Sequence, residues 1–179
     1  GAGTHVAYVY VGTPPQRVSV ILDTGSSNTA FPCTGCQGCG QHEDPYWDRS
    51  ASSTAQVSSC QQCVGDYTCT AAERCVFSQY YAEGSGWTAY QVEDTFYVGV
   101  PVQQGTAADK KHDDVSIDFS FGCVQSQTGL FVTQPEDGIM GMAMSDATLV
   151  PQLAKKGLIP HETFSLCFSY DGGYMVLGG

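Results

Sequence analysis

Seven of the nine cysteines in this 179-residue chain, Cys33, Cys36, Cys39, Cys60, Cys63, Cys69 and Cys75, fall between residues 33 and 75. That stretch is otherwise rich in Gly, Ser, Thr and Gln and shows no helical period, so it can bury little core of its own. Cross-links have to hold it. One reading is disulfides, which imply an oxidising compartment. The other is a metal, because Cys33-x-x-Cys36-x-x-Cys39 and Cys60-x-x-Cys63 have ligand-like spacing. Four thiolates complete one zinc site, and seven do not divide into such sites. The stretch also lacks the basic residues common around zinc modules that bind nucleic acid. Disulfides are therefore expected, and no metal or cofactor is assigned. Nine is odd, so at least one cysteine must stay free or pair outside this chain. Tyr46 and Trp47 read as exposed, or as aromatic filler for this segment.

Outside that stretch the pattern is β. Residues 6–11 alternate, Gly12 to Pro15 form a turn, and Arg17 to Leu22 make the next strand, so the chain opens with a hairpin. The second strand runs Val18-Ser19-Val20-Ile21-Leu22 into Asp23-Thr24-Gly25-Ser26-Ser27-Asn28. A strand ending this way holds one carboxylate at a rigid turn. Gly25 lets the backbone come close, so amide N–H groups can donate to Asp23, and the Ser26 hydroxyl can do the same. Such bonds favour the charged carboxylate. For a bare Asp-Thr-Gly, an ordinary turn after a strand is the simpler reading.

Cys75 to Phe96 reads as two strands around a Glu83-Gly84-Ser85-Gly86 tip, a hairpin that is either an ordinary surface feature or a mobile cover. Two further alternations follow up to Phe121, separated by a charged loop at 107–114 in which His112 reads as solvated. Gly122-Cys123 is expected to end the second of them. Thr148 to Lys156 reads as a short helix stopped by Gly157, and residues 161–169 and 174–177 as strands joined by a Gly-Gly turn. Net charge of -11 argues against nucleic acid as a partner. No apolar run approaches a membrane span.

Val-Ile-Leu-Asp-Thr-Gly-Ser-Ser-Asn resembles the active-site motif of pepsin-like aspartic proteases, and three more elements resemble that family in the same order. Val11-Gly12-Thr13-Pro14-Pro15-Gln16 is similar to its first hairpin. Tyr81, with Gly84 three residues on, is similar to its flap. Gly138-Ile139-Met140-Gly141 matches the hydrophobic-hydrophobic-Gly element that pairs with the Asp-Thr-Gly loop, which makes Asp137 part of that element and not a second catalytic aspartate. Within the family the chain resembles plasmepsin V and its Toxoplasma and oomycete relatives. The carriers are Phe31-Pro32-Cys33-x-Gly35-Cys36-x-x-Cys39-Gly40, a nepenthesin-type insert at 33–75, and Tyr81-Ala82-Glu83-Gly84-Ser85. Ala30 stands where most pepsin-like enzymes carry a tryptophan that bonds the flap tyrosine, a departure plasmepsin V shares. Its flap cysteine, however, is replaced here by Ala82.

The resemblance implies an all-β, pepsin-like acid protease lobe of double-psi barrel or sandwich type, with a disulfide-rich insert and one or two short helices. Residues 1–179 would form the N-terminal lobe, with the flap hairpin at 77–96. The second catalytic aspartate would come from a C-terminal lobe not in this chain, or from a second copy by two-fold symmetry. It implies an endopeptidase in which Asp23 is catalytic, Thr24 links the two active-site loops, Gly25 shapes the turn and Ser26 orients Asp23. Tyr81 and Gly84 would cover a peptide or protein substrate. Glu83, otherwise a solvated tip residue, would recognise the arginine of an Arg-x-Leu export motif, and Gln134 would line the same pocket. The expected compartment is the lumen of the endoplasmic reticulum or Golgi, or else the exterior. The rival classes are a non-catalytic pepsin-like inhibitor and a disulfide-rich binding module.

Overall fold

The computed structural model describes residues 4–99, 101, 115–169 and 172–179. The charged loop with His112 lies outside them. Strand β1 (Val6–Val11) and strand β2 (Gln16–Asp23) form the expected antiparallel hairpin. Its alternation sorts the side chains: Val9, Val11, Val18 and Val20 are buried while Val6 and Tyr8 face out. β3 (Ala30–Gln37) leaves the Asp23 loop and runs straight into the cysteine-rich stretch. Short strands β4 (Gln56–Val57) and β5 (Thr68–Cys69) lie within that stretch. β6 (Cys75–Tyr80) then turns into β7 (Gly86–Val98).

β7 and β8 (Val115–Thr128) are long and pair along their whole length, with a register shift between Thr88 and Ala89. One end of β7 therefore forms barrel wall against β1, and the other pairs with β6 in the hairpin expected to be the flap. β8 does not end at Gly122-Cys123; it continues to Thr128, because Gly86 to Tyr90 on β7 keep supplying hydrogen-bond partners. A four-residue helix α1 (Leu130–Thr133) follows, then β9 (Gly138–Gly141). β9 lies parallel to β2 and touches β3, so β1, β2, β9, β3, β8 and β7 close into a six-stranded barrel. Helix α2 (Leu149–Lys155) buries Leu149, Val150 and Leu153 in the main core, and Thr148 precedes it as expected. β10 (Phe164–Ser169) and β11 (Gly172–Leu177) make a separate two-stranded sheet; the two glycines expected to form its turn are the first residues of β11. No helix among the described residues is long and apolar enough to cross a membrane.

Eight cysteines form disulfides: Cys33–Cys123, Cys36–Cys39, Cys60–Cys69 and Cys63–Cys75; Cys167 is free and exposed. The cysteine-rich stretch is less detached from the core than its composition suggests. Trp47, read from sequence as exposed or as local filler, is 1% exposed and sits in the main core against Phe31 and Phe121. Its indole N–H donates to the Val11 carbonyl at 3.2 Å, and its backbone bridges to Cys33.

Candidate active site

The site grows from the end of β2. Asp23 is the last residue of that strand and is half-buried. The Gly25 N–H donates to Asp23 Oδ1 at 2.9 Å, the close backbone approach expected of the glycine. The Asp23 carbonyl accepts from Met142 N at 2.8 Å, and Ser26 and Asn28 carbonyls accept from Ala143 and Gly141. β9 thus threads beneath the loop and fixes it. The threading depends on two glycines. A Cβ on Gly138 would lie 2.2 Å from the Ala30 carbonyl oxygen, and one on Gly141 would lie 2.6 Å from the Asn28 nitrogen.

Asp137 lies at the other end of this ladder. Gly138 pairs with Val20 and Gly141 with Asp23, so Asp137 is level with Ser19. Its carboxylate accepts from Ser19 N, Ser19 Oγ and Asp44 N at 2.6, 2.6 and 3.0 Å. These bonds tie the barrel to the start of the cysteine-rich stretch. Burial raises its pKa and outweighs the lowering by the Ser19 and Asp44 donors.

Thr24 is exposed beside Asp23. Ser26 does not sit as the sequence suggested: its hydroxyl makes no hydrogen bond to Asp23. It is buried instead beside the hydroxyl of Tyr81. Tyr81 opens the flap tip, which is closed by Tyr81 N donating to Ser85 O and Gly84 N donating to Tyr81 O. Gly84 has φ +94°, a conformation that favours glycine. Burial raises the Tyr81 phenol pKa; the Ser26 hydroxyl and Trp87 indole N–H beside it pull the other way, and the charges of Asp23 and Glu83 raise it further. The Tyr81 ring leans on Phe131 of α1, with centroids 5.4 Å apart.

Glu83 is exposed at the flap tip. Gln134 caps α1, where its Nε2 donates to the Glu136 carbonyl at 3.4 Å and its own carbonyl accepts from His42 Nδ1 at 3.1 Å. No hydrogen bond joins it to Glu83 or Tyr81 among the described residues. Sequence reasoning missed two supports here. Ser85 Oγ accepts from Leu130 N at 2.9 Å and pins the flap base to α1. Gln127, with its amide nitrogen turned inward, shares its two N–H groups among the Cys39 and Phe131 carbonyls at 3.0 and 3.1 Å and His42 Nε2 at 3.3 Å. A lone Ser, Gln or His in a β-rich sequence carries no signal for such clips.

The sequence matches the family model described as xylanase inhibitor N-terminal over residues 5–179. Over 99% of its length the chain is 36% identical to aspartic protease 5 of Toxoplasma gondii, of which it covers 20%. It is 30% identical over 94% of its length to plasmepsin V of Plasmodium falciparum, covering 28% of that protein. The similarity to aspartyl protease family protein 1 of Arabidopsis thaliana is 31% over 98% of the chain and 35% of the relative. The chain therefore spans between a fifth and about a third of the length of these relatives.

Proposed function

This chain belongs to the xylanase inhibitor N-terminal family of pepsin-like lobes, and from that premise we propose that it is the N-terminal half of an aspartic endopeptidase. The observation that carries the reading is Asp23. Its carboxylate sits at the end of a buried strand, takes the Gly25 N–H, and faces a flap whose tyrosine hydroxyl lies beside the same loop. A C-terminal lobe outside this chain supplies the second carboxylate. Two carboxylates about 3 Å apart cannot both ionise, so they share one proton. The ionised member takes a proton from a water, whose oxygen attacks the scissile carbonyl carbon. The protonated member gives its proton to the carbonyl oxygen. The C–N bond of the tetrahedral diol then breaks, with a proton passing to the leaving amine.

Residues 1–179 act as one lobe, with Thr24 bridging to the opposite active-site loop and Tyr81 and Gly84 closing over the peptide. Glu83 and Gln134 line the pocket for the arginine of an Arg-x-Leu motif. The exposed carboxylate of Glu83 at the flap tip suits a guanidinium. The enzyme works in the lumen of the secretory pathway or after secretion, a setting that suits four disulfides. The second reading, a non-catalytic inhibitor or binding protein, is favoured by the description of the matching family model. Against it stand Asp23, Thr24, Gly25 and a complete flap.

In the protein carrying this chain and its second lobe, Asp23→Asn should lower kcat/KM on an Arg-x-Leu peptide by about a thousandfold or more. It should also weaken binding of a statine-type analogue. Activity close to wild type would overturn the reading. Glu83→Ala should leave Ala-x-Leu peptides unaffected and cut the preference for Arg by about tenfold or more, the loss of one charge-assisted bond. An unchanged preference would remove Glu83 from the pocket.

A further inference from the structure

Beneath the flap, three polar groups are shut away from solvent with no hydrogen bond completed: Ser26 Oγ, Tyr81 Oη and Trp87 Nε1. Trp87 belongs to the buried cluster with Phe131 and Ile139 against which Tyr81 packs, and Ser26 and Trp87 both lie beside the Tyr81 hydroxyl. In the same cluster β3 begins with Ala30, which is buried and has no polar side chain to offer Tyr81. Trp87 comes from the flap itself. It is the second residue of β7, paired across the hairpin with Gln79, and is 3% exposed.

The indole is also braced from behind. The Phe77 ring meets it edge-on at 5.7 Å, and Tyr67 of the cysteine-rich stretch leans on Phe77 at 5.5 Å. Gly122 makes room for that brace: a Cβ there would fall 2.3 Å from the Tyr67 hydroxyl oxygen. Tyr67 in turn is held in the segment closed by Cys60–Cys69 and Cys63–Cys75.

We propose that Trp87 is the positioning residue of the flap tyrosine, and the proposal rests on reading this hairpin as the flap of a peptidase. Hydrogen-bond chemistry sets the direction. An indole N–H can only donate, whereas a phenol can donate once and accept. The pair can therefore close in one direction only: Trp87 Nε1–H donates to Tyr81 Oη, which leaves the Tyr81 O–H for Ser26 on the Asp23 loop. Because Trp87 and Tyr81 belong to one hairpin, the pair travels together when the flap lifts. The ring of Tyr81 arrives over the substrate already oriented, and the disulfide-bound segment behind Phe77 stiffens the support. A donor on the floor strand would instead have to be broken and remade at each opening.

The test uses the whole protein that carries this chain, with the indole N–H resonance of Trp87 assigned through Trp87→Phe. Tyr81→Phe removes the acceptor. It should shift the Trp87 indole proton and speed its exchange with solvent. Trp47, whose indole N–H donates to Val11, should stay unchanged. Trp87→Phe keeps an aromatic ring against Phe77 but removes the donor. It should lower kcat by about tenfold, the value of one hydrogen bond, with KM nearly unchanged. A Trp87 resonance indifferent to Tyr81→Phe would overturn the proposal whether or not the protein cleaves peptides, as would a Trp87→Phe variant with wild-type kcat. A resonance that does respond, in a protein without peptidase activity, would uphold the pair and count against the function alone.

Discussion

Asp23 and Asp137 belong to one parallel ladder and differ in what surrounds them. Asp23 is half-buried at the open end, with one short backbone donor. Asp137 is 5% exposed, and three donors from Ser19 and Asp44 occupy its oxygens. It is therefore a structural clamp. An asparagine cannot replace it, because its Nδ2 would face a donor where an oxygen now accepts. Asp137→Asn should cost about 1–3 kcal/mol in urea unfolding at neutral pH, the range for a buried hydrogen bond left unmade. The pH dependence has a definite sign. Burial raises the folded-state pKa of Asp137 above its usual 3.8, so in that window the folded chain binds more protons than the unfolded one. Stability then falls as pH rises from 3.8 through the raised value. The advantage of the wild type over Asp137→Asn should grow as the pH is lowered from neutral toward 4. A difference that stays flat, or shrinks, would mean that the donors and not burial dominate.

At the level of elements, the sequence was legible where structure is local. The first hairpin, the hairpin of β6 and β7, and α2 follow from alternation and turn chemistry within short windows, and all three form as expected. The Asp23 turn was equally readable, because Gly25 acts on a residue two positions away. What stayed hidden depends on distant partners. β8 runs on past Cys123 because β7 is long enough to pair with it, which no local signal at Gly122 reveals. Trp47 looked like surface because its neighbours are polar, yet it fills the barrel between Phe31 and Phe121. Ser26 turned toward Tyr81 instead of Asp23, since the flap supplies a buried hydroxyl that the sequence around residue 26 does not foresee. The His42–Gln127 clip joins residues 85 positions apart and so left no trace in composition or period.

For the whole molecule, the cross-links are unequal because they close loops of very different size. Cys33–Cys123 spans 90 residues and ties the entrance of the cysteine-rich stretch to the middle of β8, next to the buried Trp47. The other three span 3, 9 and 12 residues. If disulfides act mainly by restricting the unfolded chain, the loss on removal grows with the logarithm of loop length. Cys33→Ala/Cys123→Ala should then cost about 4–5 kcal/mol and Cys36→Ala/Cys39→Ala only about 1–2 kcal/mol. Guanidinium unfolding of the two double variants would measure the gap. The barrel should still close in the first variant, since its strand order does not depend on the bridge, so the flap should keep its shape while the global stability drops. Equal losses would mean that the long bridge works by native packing around Cys33 and Trp47 and not through chain entropy. A larger loss from the short bridge would reverse the argument and make the loop at Cys36–Cys39, whose Cys39 carbonyl accepts from the Gln127 amide, the keystone of this region.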